Sequence, residues 1–247
     1  MFASTPNGSK QVRRRTGIVP LAVATLLLAT ASGGPAFAAP LPVVPTYSHY
    51  AVTIAGATGA PTVYASDGFN RANALLSASP TTLTGGTWTV WSGTWRVQGN
   101  RLLTTPGAAF ANISTQTNRT DVRIIVTMTL GATANAGLQI NDSGTKALRL
   151  LYSPAAGGTM QLVKYAPGAS TLQTTTGVGT FTNSTIVLSA LTTATTLTAT
   201  INGTAVFNYT YTAADLADVK QPTNSYHGLW AENDAVTQFD DFRAESP

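Results

Sequence analysis

Between Asp121 and Leu130 the chain alternates: Val122, Ile124, Val126, Met128 and Leu130 point one way, and Arg123, Thr127 and Thr129 the other. A period of two belongs to a β-strand with one buried and one wet face, and a helix cannot satisfy it. Asn202-Gly203, further on, separates two more β-compatible runs. Both residues tolerate the positive φ of a type I′ hairpin turn. Comparable punctuation recurs at Gly99-Asn100 and at Asp142-Ser143-Gly144-Thr145. Two short aromatic strands, Trp88 to Trp91 and Thr94 to Val97, flank Ser92-Gly93. The same pattern predicts strands near residues 101–104, 137–141, 146–152, 159–165, 184–191, 195–201, 204–211, 226–232 and 236–244. Only residues 213–219 have helical composition. About eleven short strands without βαβ spacing predict an all-β chain folded as a two-sheet antiparallel sandwich.

The N-terminus reads differently. Lys10 and Arg13-Arg14-Arg15 precede an apolar run from Gly17 to Ala29, and Ala36-Phe37-Ala38 fits the small-x-small cleavage rule. Residues 1–38 are therefore expected to be a signal peptide, with general export preferred over the twin-arginine route. Residues 39–61, rich in Pro, Ala, Gly and Thr, read as a linker or N-terminal arm, in which Tyr47 to Ile54 is expected to add an edge strand. Residues 62–247 form the β-sandwich domain. No stretch of the mature chain approaches the ~20 apolar residues of a membrane span, so a secreted, extracellular protein is expected.

Charge and cysteine content narrow the function classes. The formal charge of +4 rests on the four cations of the leader, without which ten Lys/Arg face ten Asp/Glu. A neutral surface lacks the cationic excess that neutralises phosphates, so nucleic acid is not an expected partner. With no cysteine, disulfides, thiolate metal sites and cysteine nucleophiles are excluded.

Several motifs together carry a resemblance. They are Asp67-Gly68-Phe69-Asn70-Arg71, Trp88, Gly93-Thr94-Trp95, Gly99-Asn100-Arg101-Leu102, Gly228-Leu229 and Phe239-Asp240-Asp241-Phe242. In this order they resemble the concanavalin A-like lectin and glucanase superfamily, in the laminin-G-like form of bacterial secreted and phage-associated members. The resemblance covers about residues 62–245 and implies a two-sheet antiparallel jelly roll whose first and last strands lie side by side. It implies that Trp88 and Trp95 are core. It leaves activity open, because the superfamily holds lectins, glycosidases, lyases and adhesion modules.

Four chemistries can be weighed on the residues. Glucan-cleaving members of the superfamily carry Glu-x-Asp-x-x-Glu on one strand. Here Glu232-Asn233-Asp234 matches the first two acids, but Thr237 stands in place of the third. A turn explains the segment better. His227 is the only histidine inside the domain, no Gly-x-Ser-x-Gly elbow accompanies it, and an ordinary strand position accounts for it. Asp67, Asp240 and Asp241 converge if the terminal strands pair, which makes them candidate ligands of a structural Ca²⁺. Pairing with Arg71 or Arg243 is the alternative. For carbohydrate, Trp91 and Trp230 are the aromatics expected at the surface, with Tyr152 adding to the platform and Gln139 and Asn141 supplying polar contacts; Tyr209, Tyr211 and Asn208 are further candidates. The expected function is a secreted, non-catalytic module that binds an oligo- or polysaccharide or a cell-surface polymer. A glycoside hydrolase or lyase of the same fold, or a structural, adhesive or phage-tail-like domain, stands as the alternative.

Overall fold

The computed structural model describes residues 60–76, 82–105, 109–131, 134–154, 157–232 and 236–247. The expected signal peptide, nearly all of the linker, its edge strand, and the turn residues Asn233 and Asp234 lie outside the described residues. The first strands are β1 (Val63–Asp67), β2 (Ala74–Leu75), β3 (Thr82–Leu83), β4 (Gly86–Ser92), β5 (Trp95–Gln98), β6 (Arg101–Thr104) and β7 (Phe110–Gln116). They are followed by β8 (Val122–Thr129), β9 (Ala136–Asp142), β10 (Ala147–Ser153), β11 (Thr159–Tyr165), β12 (Ala169–Thr176) and β13 (Thr185–Thr192). The chain then forms β14 (Thr196–Ile201), β15 (Thr204–Thr210), the helix α1 (Ala213–Val219), β16 (Tyr226–Glu232) and β17 (Gln238–Glu245).

The strands form two antiparallel sheets. One runs β15-β14-β13-β8-β17-β6-β5-β2, with β1 also paired to β17; the other runs β12-β11-β10-β9-β16-β7-β4-β3. The tight turns are as predicted: Gly99 and Asn100 both have φ of 59°, and Asn202 and Gly203 have φ of 50° and 79°. The helix starts on a capping box in which Thr212 and Asp215 satisfy each other's backbone N–H groups.

The first and last strands pair, with Ser66 opposite Arg243 and Asp67 opposite Phe242. β17 changes partner along its length. Gln238 and Phe239 pair with β6, and its later residues pair with β1, while β8 follows its other edge throughout. The change falls at a bulge beside Asp241, whose φ is 49°.

The alternating residues of β8 enter one continuous core with Leu138, Leu148, Leu150, Leu162, Ile186, Leu188 and Leu229. Trp88 and Trp95 are buried there as expected. Trp88 lies between Phe69 at 6.1 Å and Phe242 at 4.8 Å, and Trp95 sits 5.9 Å from Phe239. Fully burying such side chains contributes roughly 1.5–3 kcal/mol each. Four strands, β2, β3, β7 and β12, are not foreseen in the sequence; β2, β3 and β12 are edges of their sheets, whereas β7 lies inside the eight-stranded sheet between β16 and β4.

Candidate functional site

Period two divides the strands of the eight-stranded sheet between the core and the outer face. Ala136, Leu138, Leu148, Leu150, Ile113 and Leu229 belong to the core. Their neighbours therefore face outward, and the pairing sets them in rows. Thr89, Ser114, Gly228, Gln139 and Arg149 lie side by side across five strands. Gly228 is the low point of this row. A Cβ there would lie 2.0 Å from the Ile113 carbonyl oxygen, so no larger residue fits.

A polar string runs beneath aromatic rings on this face. The Trp91 indole N–H donates to Ser114 Oγ at 2.5 Å, and the Ser114 hydroxyl donates to Asp142 Oδ2 at 3.0 Å. The Gly144 amide donates to Asp142 Oδ1 at 2.7 Å, and Arg149 Nε donates to Gln139 Oε1 at 3.1 Å. Burial raises the Asp142 pKa, and hydrogen bonds from Gly144, Ser114 and Gln139 oppose that rise. Burial likewise lowers the Arg149 pKa, against the attraction of Asp142 and Tyr165.

The rings lie at two ends. Trp91, 38 % exposed, meets Tyr226 edge-on at 5.5 Å. Phe110, 40 % exposed, stacks on Trp230 at 6.0 Å and 18°. The Arg149 guanidinium lies 4.8 Å from the Tyr165 ring, 5.5 Å from Phe110 and 5.7 Å from Trp230. Phe110 stands four residues from Ser114 on β7, roughly 13 Å at the strand rise.

Of the five residues expected to bind carbohydrate, three lie on this face. Trp91 is exposed as expected. Gln139 is there but buried beside Arg149. Trp230 lies on this face but is not exposed as expected: it is 6 % exposed, because Phe110 and Arg149 cover it, and its indole N–H has no partner. Tyr152 has the opposite parity and points into the core. Its hydroxyl donates to the Gly179 carbonyl and accepts from the Phe181 N–H, pinning that loop. Asn141 is turned inward at a bulge where its φ is 51°. Its amide donates to the Thr120 and Asn224 carbonyls, and the same bulge brings Asp142 opposite Tyr226. Tyr209 and Tyr211 belong to the other sheet's end, bonded to Asp215 and Thr192. Ser114, Asp142, Arg149, Phe110, Tyr165 and Tyr226 were not anticipated. The signal that could have found Arg149 is a lone charge in the middle of an apolar strand.

Of the acids expected to hold calcium, Asp67 has both oxygens engaged. Asp67 accepts two bonds from the Arg71 guanidinium at 2.9 and 2.8 Å, one from the Phe69 amide at 2.8 Å and one from the Trp88 indole at 2.7 Å. Asp240 Oδ1 accepts from the Asp241 N–H at 2.9 Å. A Ca²⁺ ion at Asp67 would have to displace a cation and a buried indole. Among the described residues no three His, Cys, Asp or Glu side chains are grouped to hold a metal.

Two of the groups weighed for catalysis, Glu232 and His227, lie among the described residues. The Glu232 carboxylate accepts from the backbone and side-chain amides of Asn135. It lies at the far end of β16 from Tyr226, which opposes Asp142. Six residues of strand separate the two acids by roughly 20 Å, against about 5–9.5 Å for paired carboxylates of glycosidases. His227 faces inward, its Nε2 2.9 Å from the Arg119 carbonyl, and burial takes its pKa down to about 4. It is the ordinary strand residue that the sequence suggested.

This architecture is the concanavalin A-like jelly-roll sandwich. No family model matches the sequence, and no curated protein matches it. Solved structures do. The chain is similar to the GH43 protein BlXynB from Bacillus licheniformis, with TM-score 0.51 and 13 % identity over 74 % of this chain; it spans 39 % of that protein. It is similar also to SCLam, a non-specific endo-β-1,3(4)-glucanase of family GH16, with TM-score 0.50 and 12 % identity, over 75 % of this chain and 91 % of that one. At these identities the likeness is one of fold. No helix among the described residues is long and apolar enough to cross a membrane.

Proposed function

We propose that this is an exported, non-catalytic module that binds a carbohydrate chain on the outer face of its eight-stranded sheet. The observation that carries the reading is the pair Trp91 and Phe110, two exposed rings on one sheet face, with the half-buried Arg149 beside Phe110 and the buried Ser114, Gly228 and Gln139 forming the floor between them. Sugar rings present C–H faces to aromatics, while their hydroxyls need fixed donors and acceptors between them. Side chains already tied by hydrogen bonds lose little further freedom on binding. The wide separation of Asp142 from Glu232 supports binding without cleavage. The matched structures are named for glycoside hydrolase families, which agrees with a glycan ligand.

The test is a glycan array probed with the purified chain, followed by calorimetric titration of the best ligand. Trp91→Ala should weaken binding about tenfold or more, as loss of an aromatic anchor does. Failure to bind any glycan, or an unchanged affinity in Trp91→Ala, would overturn the reading.

A further inference from the structure

Arg149 does more than pack. Its guanidinium is held between Tyr165, Phe110 and Trp230, and its Nε is committed to Gln139. No ion pair within 4.0 Å joins it to any carboxylate among the described residues. Asp142, the acid that acts on it electrostatically, has its own oxygens taken by Gly144 and Ser114. A cation desolvated by three rings without a paired anion is costly unless something compensates it. Nearby, the Trp230 indole N–H is buried and has no partner either. The free end of the guanidinium fork thus lies beside a buried donor that has no partner, and the acid opposite Phe110, Glu232, is already bonded to Asn135. Such a fork matches the paired oxygens of a carboxylate or sulfate.

We propose that Arg149 recognises an acidic sugar, so that this face selects a glycan bearing carboxylate or sulfate groups over a neutral one. The inference rests on the glycan-binding reading above and deepens it. Trp91 and Tyr226 then hold a sugar ring by stacking, and Arg149 fixes the charged substituent at the opposite end.

The experiment uses an array in which each uronate-bearing oligosaccharide is printed beside its carboxyl-reduced form, and each sulfated one beside its desulfated form. Wild-type protein should prefer the charged member of a pair by about ten- to hundredfold, the range of a charge-assisted hydrogen bond. That preference should shrink as salt rises. Which pairs respond tells carboxylate from sulfate. Arg149→Met, which keeps an apolar stem under the rings, should bind both members alike, and Arg149→Lys should recover part of the preference. The wild-type pairs decide the matter even if a variant folds poorly. Equal binding of charged and neutral members would overturn the inference and leave the glycan-binding reading standing. Binding to no member of any pair would overturn both.

Discussion

The indole N–H of Trp88 reaches across 21 residues of sequence to donate to the Asp67 carboxylate at 2.7 Å. That carboxylate is buried, and Arg71 is partly exposed beside it. The contact ties the end of β1 to the ring stack of Phe69, Trp88 and Phe242. Asp67→Ala leaves the indole donor and the guanidinium without their acceptor, and should cost about 2–4 kcal/mol in urea unfolding. Trp88→Phe, which deletes only the N–H and part of the ring, should cost less. Equal stability of wild type and Asp67→Ala would contradict this account.

Because Arg71 already neutralises Asp67, calcium should not stabilise the fold. The melting temperature of the chain is expected to be the same in chelator and in millimolar CaCl₂. Binding of a specific ion would raise it, by about 2.7 kcal/mol of stability at a hundredfold excess over Kd. A calcium-dependent rise that Asp240→Asn or Asp241→Asn removes would restore the metal site.

Gly144 holds the floor under Trp91. It has φ of 83°, and an added Cβ would lie 2.7 Å from the Trp91 ring. Gly144→Ala should therefore displace the indole and destabilise the protein by about 1–3 kcal/mol through backbone strain alone. Tryptophan fluorescence should report the ring's movement, and glycan affinity should fall with it. An unshifted emission spectrum with full binding would show that the ring does not depend on this turn.

His227 sets one limb of the pH profile. Burial, with help from the Lys220 charge, takes its pKa down to about 4 against an ordinary 6.5, despite the opposing bond to the Arg119 carbonyl. Between those values the unfolded chain holds a proton that the native state refuses. Stability is full above about pH 6.5 and should fall by up to about 3 kcal/mol as pH drops towards 4. Asp215 acts lower. Burial alone would raise it, but bonds from Tyr209, Thr212 and Lys164 outweigh that and bring it to about 2. Its contribution is present above about pH 4 and lost on the way to 2. Denaturant melts at stepped pH should show the upper limb flatten in His227→Gln; an unchanged slope would remove His227 from the explanation.

The basic start, apolar run and Ala36-Phe37-Ala38 predict that material recovered outside the cell begins at Ala39. N-terminal sequencing checks it, and secreted protein beginning at Met1 would refute it.

Much of the sandwich was legible because its signals are local. The alternation of β8 has one buried and one wet face, and the Asn202-Gly203 turn needs positive φ at both residues. Strand parity could also have settled Tyr152, which shares its side of β10 with Leu148 and Leu150. β7 was missed for a physical reason. Its outward Asn112 and Ser114 and its inward Thr115 are all buried polar residues, so the sequence Phe-Ala-Asn-Ile-Ser-Thr-Gln shows no clean alternation. Asn141 escaped because a bulge inverts parity at a single residue. Trp230 is expected at the surface but is buried, because the residues covering it, Phe110 and Arg149, come from strands far away in the chain.

The change of partner along β17 bears on how the protein is made. This strand joins β8 to both β6 and β1, so until it is in place the nine-stranded sheet is three separate pieces with open edges. Contacts between Val63 and Glu245 span almost the whole domain, and such long loops close slowly. A nascent chain still lacking β17 therefore presents unpaired strands of β8, β6 and β1 to its surroundings, where they invite pairing with other chains. Synthesis must deliver the final strand before the sheet can exist as one, and crossing a membrane unfolded would delay that closure until the far side.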